Sequence, residues 1–129
     1  MAKSKNQYID NKKFFEEMVK YRQSRIDAEE SGEERPVIPD YIGRCMMDIS
    51  TRLSYKPNFI NYPFREEMVA DGIENAIRAL NNFDPAKSAN PFAYFTQIIY
   101  YAFLRRITKE KTLLYTKQKM YTSMAVMGA

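Results

Sequence analysis

Apolar residues recur at intervals of three and four along four segments of this chain, the spacing that places side chains on one face of a helix. Stretches rich in proline, glycine and asparagine separate these segments. The pattern therefore predicts an all-α fold of four helices, the last two of which pack as a hairpin. The predicted helices cover residues 11–28, 40–55 and 64–83, and the fourth begins near residue 91.

Each predicted helix has an apolar seam that should face the core. The first two seams are Phe15, Met18, Val19, Arg22 and Ile26, then Ile42, Cys45, Met46, Ile49 and Leu53. The last two are Met68, Val69, Gly72, Ala76, Ala79, Leu80 and Phe83, then Phe92, Phe95, Ile99, Ala102 and Phe103. Asn11 and Asn90 are expected to cap the first and fourth helices, because their side chains can accept hydrogen bonds from free backbone N–H groups.

The chain of 129 residues is expected to form one domain, over residues 11–111. Residues 1–10 are polar and are expected to form a disordered tail. Residues 112–129 contain leucine, tyrosine and methionine but keep no clean helical period beyond one or two turns. The pattern assigns no structure to this C-terminal extension.

The fourth helix has a second apolar surface that its core seam does not explain. Tyr94, Ile98 and Tyr101 lie opposite the seam with Gln97, and cations follow at Arg105, Arg106, Lys109 and Lys111. Aromatic rings interleaved with cations suit unpaired bases, which need a stacking surface and positive charge for their phosphates. Such a stripe is also common in buried cores, but this helix already has a core face.

Charge is distributed unevenly between the two helices of the hairpin. The chain carries 20 basic and 16 acidic residues, a net charge of +4, which is compatible with nucleic acid. Residues 91–119 contain six cations and one acid, whereas in residues 64–83 acids outnumber bases by four to two. The fourth helix should therefore attract an anion, and the third should face a cationic or mixed partner.

Several kinds of chemistry are excluded by composition. Cys45 is the only cysteine and there is no histidine, so an intrachain disulfide, a zinc site and histidine acid–base catalysis are not available. Four scattered glycines cannot form a phosphate-binding loop. We expect no enzyme activity, no cofactor and no metal. The longest apolar run is too short to span a bilayer, so no membrane partner is expected.

The hairpin resembles region two of the bacterial sigma factors, the promoter-specificity subunits of RNA polymerase. The family pattern is an acidic helix, a turn of the type Lys-Phe-Asp, and a helix rich in aromatic residues. Here residues 67–72 occupy the place of the acidic helix, Asn82, Phe83 and Asp84 that of the turn, and residues 92–96 that of the aromatic helix. More narrowly, residues 11–111 are similar to the late-transcription sigma factors of large tailed bacteriophages.

This resemblance implies a sigma region-two-like domain that directs host core polymerase to phage late promoters in the cytoplasm of the infected bacterium. The third helix would dock on the coiled coil of the largest polymerase subunit, and the fourth would open the AT-rich minus-ten element of promoter DNA. The implied polymerase-binding residues are Glu67, Ala70, Asp71, Ile73, Glu74 and Ile77. The implied DNA-binding residues are Tyr94, Gln97, Ile98, Tyr101, Leu104, Arg105 and Lys109.

The chain also departs from the family pattern. The family's paired tryptophans correspond here to Gln97 and Ile98, and the chain contains no tryptophan. A phage coactivator and a sliding clamp are further implied partners, but residues 123–129 lack the acids of the family's clamp-binding tail. Two other interpretations remain open: a helical adaptor that binds another protein and never DNA, and a membrane-surface anchor formed by the aromatic-basic helix.

Overall fold

The computed structural model describes residues 8–128, and within that range it contains four α-helices and no strand. The helices are α1 (Asn11–Ser31), α2 (Asp40–Ser54), α3 (Arg65–Arg78) and α4 (Pro91–Gly128). One turn of 3-10 helix, Leu80–Asn82, follows α3. The prediction of an all-α, four-helix fold is confirmed.

The hairpin of α3 and α4 forms the centre of the fold, and α2 packs against both of its helices while α1 covers α2 and the start of α4. The core is apolar and aromatic. It includes Phe14, Met46, Met68, Phe95 and Phe103, each with essentially no exposed surface. The predicted seams of α2, α3 and α4 all face this core, with Leu53, Val69, Ala79 and Phe92 half-buried at its edge.

Gly72 lies where side chains of α2 and α4 pack directly against the backbone of α3. A Cβ atom at this position would lie 2.6 Å from Ser50 Oγ, 2.7 Å from Ile99 Cγ2 and 3.0 Å from Phe103 Cε1. The Ser50 hydroxyl donates a 2.9 Å hydrogen bond to the carbonyl of Val69, which satisfies a fully buried polar group. Only glycine leaves room for this crossing.

The predicted seam of α1 is wrong by about one residue. The buried residues are Phe14, Met18, Tyr21 and Ala28, while Val19 is exposed and Phe15, Arg22 and Ile26 are half-buried. Phe14 stacks on Phe95 with ring centroids 5.9 Å apart, whereas Phe15 meets the edge of Phe83 at 6.4 Å. Because two phenylalanines are adjacent, the helical period could not decide which of them enters the core.

The capping residues differ from the prediction at one of two helices. Asp10, not Asn11, caps α1, by accepting a 3.2 Å hydrogen bond from the Lys13 N–H. Asn90 caps α4 as predicted, accepting from the Ala93 N–H at 3.0 Å. The Asn11 side chain instead accepts from the Phe92 N–H at 3.1 Å and donates to Asn90 Oδ1 at 2.8 Å, and so ties α1 to the start of α4.

The start of the predicted domain requires correction, and the C-terminal extension, to which the pattern assigned no structure, is helical. Residues 1–7 of the predicted tail lie outside the described residues. Ile9 is buried and Tyr8 packs edge-on against Phe92, so the tail does not reach these positions. At the other end, α4 continues as one helix of 38 residues to Gly128. The extension over residues 112–128 is therefore helical, although its sequence shows no clean period.

Candidate functional site

The α3–α4 hairpin is joined by a salt bridge between the two helices. Arg106 of α4 donates to both carboxylate oxygens of Asp71 on α3, at 2.7 Å and 3.1 Å. It also donates to Glu110 at 3.0 Å, one turn further along α4. These carboxylates raise the pKa of the Arg106 guanidinium above its usual value, chiefly through the hydrogen bonds to Asp71. Both side chains are largely removed from water, so the bridge fixes the relative position of the helices.

The predicted polymerase-binding residues share the outward side of α3, with one exception in role. Glu67, Ala70, Glu74 and Ile77 are exposed, and Ile73 is half-buried between them and the core. The exception is Asp71, whose carboxylate is held by Arg106 and is not free to meet a partner. Glu74 forms an exposed salt bridge of 2.7 Å with Arg78, one turn further along α3. The surface that remains, which we call the acidic face, is a small apolar patch flanked by the carboxylates of Glu67 and Glu74.

The predicted DNA-binding residues of α4 divide into two groups. Gln97, Tyr101 and Leu104 point to solvent, with Tyr101 about half exposed, and the cations Arg105 and Lys109 are exposed beside them. We call these five residues the aromatic face. The other group, Tyr94 and Ile98, is half-buried and packs on the core.

Tyr94 is held by two aromatic neighbours. Its ring lies 5.2 Å from that of Phe83 and 4.9 Å from that of Phe95, in edge-on contacts with both. Edge-on aromatic pairs at these distances stabilise packing by roughly 0.5–1.5 kcal/mol each. Tyr94 therefore has a packing role, and Tyr101 is the ring with a free surface.

Asn75 was not predicted as a site residue, but it links the two helices next to the aromatic face. Its Oδ1 accepts a 3.0 Å hydrogen bond from the Arg105 guanidinium, and its Nδ2 donates to the Asp71 carbonyl at 2.8 Å. Arg105 is thus held at the border between α3 and α4. The contact spans thirty residues of sequence, so no local pattern could have indicated it.

A cleft of about 870 Å³ lies beside α2 on another side of α4 and was also not predicted. Tyr8, Arg52, Phe92 and Thr96 are among its lining residues, and the Arg52 guanidinium lies 4.2 Å from the centre of the Tyr8 ring. The Thr96 hydroxyl oxygen is buried and has no hydrogen-bond partner among the described residues. The cleft combines an aromatic wall with two cations, Arg52 and Lys56, but Asp48 also lines it and weakens its attraction for anions.

Within residues 8–128, no three acidic or cysteine side chains converge in a way that could hold a metal ion. Cys45 is buried on α2, and burial raises the pKa of its thiol. No helix in this part of the chain combines the length and apolar character that a membrane span requires.

No family model matches the chain, and no curated protein matches it significantly in sequence.

Proposed function

We propose that this protein is a phage-type sigma factor, which brings the host bacterial core RNA polymerase to late promoters with an AT-rich minus-ten element. In this proposal the acidic face docks on the coiled coil of the largest polymerase subunit, and the aromatic face holds the opened promoter strand. It would act in the cytoplasm of the infected bacterium. A phage coactivator or sliding clamp would be an additional partner.

The observation that carries the proposal is the exposure of Tyr101 and Leu104 on the side of α4 away from the core. Large apolar side chains on a helix that already has a core face need another reason to be retained. Arg105 and Lys109 supply positive charge one and two turns beyond Tyr101 along the same helix. A base stacked on the Tyr101 ring would gain roughly 1–3 kcal/mol, and its phosphates would lie near these cations.

The acidic face suits a protein partner. Glu67 and Glu74 are exposed seven residues apart, along one flank of the small apolar patch that Ala70 and Ile77 form. Carboxylates along an apolar patch fit a groove that presents basic residues at its rim, and such complementarity mainly determines which partner binds and how fast. The face is separate from Tyr101, so one hairpin could engage the polymerase and the DNA simultaneously.

Strand opening by this chain would depend on fewer aromatic contacts than the family pattern provides. Gln97 stands where the family has a tryptophan, and Ile98, at the neighbouring place, is half-buried. Unstacking a base step costs a few kcal/mol, which an aliphatic wedge and one tyrosine offset only in part. A coactivator would then be required to supply the remaining free energy of strand opening.

Tyr101→Ala is the sharpest test of the DNA-binding role, because Tyr94→Ala would also disturb the packing against Phe83. Tyr55→Ala is the matched control, since Tyr55 is similarly exposed but lies at the end of α2. With core polymerase, Tyr101→Ala should lower transcription from a duplex promoter roughly tenfold, the equivalent of one lost stacking contact. A template whose minus-ten element is already mismatched should restore it.

Equal transcription by Tyr101→Ala and Tyr55→Ala on the duplex template would refute this role. Salt then separates DNA binding from the adaptor interpretation. Phosphate contacts weaken with a log–log slope of roughly minus one per contact as salt rises, whereas an apolar protein contact changes little. If rising salt does not weaken the binding of the wild-type chain with polymerase to promoter DNA, the adaptor interpretation is favoured.

Docking is tested by reversing charge on the acidic face without touching the interhelical bridge. Glu67→Lys with Glu74→Lys should abolish detectable association with core polymerase and leave the helical circular dichroism unchanged. Glu30→Lys with Glu34→Lys is the charge-matched control, because both residues are exposed at the far end of α1 and in the loop after it. Asp71 is left intact, since its loss would also free Arg106. Similar binding by the two double variants would refute the docking assignment.

A further inference from the structure

The cleft beside α2 contains charged, aromatic and polar groups that neither face of the hairpin uses. Its volume of about 870 Å³ lies within the range of roughly 300–1,000 Å³ that small-molecule sites occupy. Two rows of side chains line it. Asp48, Arg52 and Lys56 recur every four residues along the end of α2 and just beyond it, and Phe92 and Thr96 lie one turn apart at the start of α4. The cleft therefore brings the charges of one helix to the aromatic and polar side chains of another.

Arg52 is held in a position from which it can bind an anion. Its guanidinium lies 4.2 Å from the centre of the Tyr8 ring, a cation–π contact that occupies none of its N–H donors. Within residues 8–128, no carboxylate lies within salt-bridge distance of Arg52 or of Lys56. A cation near the C-terminal end of a helix also complements the helix dipole, but that role needs no aromatic ring beside the guanidinium. A guanidinium fixed on an aromatic ring is suited to bidentate binding of a phosphate.

Thr96 places an unsatisfied hydroxyl in the wall of the cleft. Its oxygen is buried and has no hydrogen-bond partner among the described residues. Threonine inside a helix commonly donates to the backbone carbonyl one turn earlier, but this one does not. Buried polar groups are nearly always paired, so each exception needs an explanation. A ligand seated against this wall would supply the missing partner.

The mixture of charges narrows the class of ligand. Burial raises the pKa of the Tyr8 hydroxyl, while Arg52 lowers it and Asp48 raises it further, so both charges act on the same phenol. A simple anion would pair with the cations and leave the Asp48 carboxylate facing negative charge. The Tyr8 and Phe92 rings meet edge-on at 6.0 Å and form a corner for a planar ring. The cleft therefore suits a ligand that combines a negative group, neutral hydrogen-bond donors and an aromatic ring.

We propose that this cleft binds a free nucleotide, a nucleoside monophosphate whose phosphate pairs with Arg52 and Lys56 and whose base packs on the aromatic wall. The amino group of the base or a ribose hydroxyl donates to Asp48, and the polar edge of the base pairs with the Thr96 hydroxyl. A nucleotide carries all of these groups in one small molecule. The inference does not depend on binding to polymerase and goes beyond the proposed function.

The position of the cleft favours a free nucleotide over a nucleotide within a strand. Thr96 and Tyr101 are five residues apart, so they lie roughly 140° apart around α4 at about 100° per residue. A strand held on Tyr101 would have to pass around the helix to place a base in the cleft. A free nucleotide reaches the cleft from solvent without that constraint.

Isothermal titration calorimetry of the full chain tests the site with AMP, GMP, CMP and UMP. At least one of them should bind with one-to-one stoichiometry. The corresponding nucleoside and inorganic phosphate should each bind roughly tenfold more weakly or worse, because each lacks the contacts of the other part. Failure of all the nucleotides to bind at millimolar concentrations would refute the site. Phosphate binding as tight as that of the nucleotide would refute the contact with the base.

Arg52→Gln tests the phosphate contact, with Arg44→Gln as its matched control. Both arginines are exposed on α2, but Arg44 does not line the cleft. Arg52→Gln should weaken nucleotide binding roughly tenfold or more, since a charge-assisted contact is lost, and Arg44→Gln should stay within about twofold of wild type. Circular dichroism checks that both variants keep their helix content. Equal affinities for the two variants would overturn the phosphate contact.

Thr96→Val separates a ligand contact from a structural role of the hydroxyl. Valine keeps the shape of the side chain and removes an unpaired buried polar group, so the ligand-free variant should melt at or above the wild-type temperature. The same variant should bind the nucleotide roughly two- to tenfold more weakly, because one hydrogen bond is lost. A variant that melts below wild type and binds the nucleotide equally well would assign the hydroxyl to the fold and overturn its contact with the ligand.

Competition with a short single-stranded oligodeoxyadenylate distinguishes a free nucleotide from a strand. At equal concentration of nucleotide units, the oligonucleotide should not displace the bound mononucleotide. If it displaces the mononucleotide and Arg52→Gln weakens its own binding, the cleft takes a nucleotide of a strand and the proposal of a free ligand is refuted. None of these measurements contains polymerase, so a cleft that binds no nucleotide would leave the proposed function unaffected.

Discussion

Gly72→Ala tests the crossing of α2, α3 and α4 that positions both faces of the hairpin. The added methyl group would lie 2.6 Å from Ser50 Oγ and 2.7 Å from Ile99 Cγ2, closer than nonbonded atoms approach. Neither neighbour can yield easily, because Ser50 is hydrogen-bonded to the Val69 carbonyl and Ile99 is a fully buried β-branched residue. The helices must therefore separate, or Ser50 must lose its hydrogen bond.

The magnitude follows from two opposing effects. Replacing glycine by alanine inside a helix stabilises it by about 0.8–1.0 kcal/mol through backbone entropy. Overpacking a close-packed core costs about 1–3 kcal/mol, and leaving the Ser50 hydroxyl unpaired would add about 1–3 kcal/mol. The two costs together are about 2–6 kcal/mol and outweigh the gain, so the free energy of unfolding should fall by about 1–5 kcal/mol.

Gly43→Ala provides the matched control. Gly43 also lies inside a helix, but a Cβ atom there would meet no atom within 4 Å. Only the propensity term applies, and this variant should be more stable than wild type by up to about 1 kcal/mol. Thermal unfolding followed by circular dichroism should therefore move in opposite directions for the two variants. A Gly72→Ala protein that melts above wild type, as Gly43→Ala should, would refute the close crossing of these helices.

Two further predictions concern the core. Phe95→Ala should lower the free energy of unfolding in urea by about 3–5 kcal/mol, because Phe95 is fully buried and contacts the rings of Phe14, Phe83 and Tyr94. A variant as stable as wild type would mean that the two faces of α4 are exchanged. Cys45 should react with a thiol reagent much more slowly in the folded chain than in urea, since burial limits access to the thiol and raises its pKa. The folded chain therefore contains less thiolate as the pH rises through the ordinary thiol range. Similar rates in both states would contradict the burial of Cys45.

The sequence predicted the helices well where one signal dominated. In α2 and α3 a single apolar arc alternates with polar residues, and the proline and asparagine at the start of α4 mark its first turn. In α1 the signal was ambiguous, because Phe14 and Phe15 are adjacent and only tertiary contacts with Phe95 select between them. The helical extension was missed because apolar residues fall on both sides of it, with Tyr115 and Val126 opposite Met120 and Met124.

The candidate site was predictable in composition but not in geometry. The pattern placed Tyr94 and Tyr101 on one face, yet the turn after α3 brings Phe83 against Tyr94 and leaves only Tyr101 free. It also placed Asp71 among the outward acids, while Arg106, thirty-five residues away, draws that carboxylate into the hairpin. Both outcomes depend on which long-range partner lies nearby, information that helical periodicity does not contain.

The continuity of α4 limits how its surfaces can act. One helix carries both the core seam and the aromatic face. The Asp71–Arg106 bridge fixes α3, with its acidic face, to the same helix near its middle. A partner that held the acidic face would therefore also fix the direction of the aromatic face. In the proposed complex, Tyr101→Ala should thus lower transcription from a duplex promoter and leave polymerase binding intact.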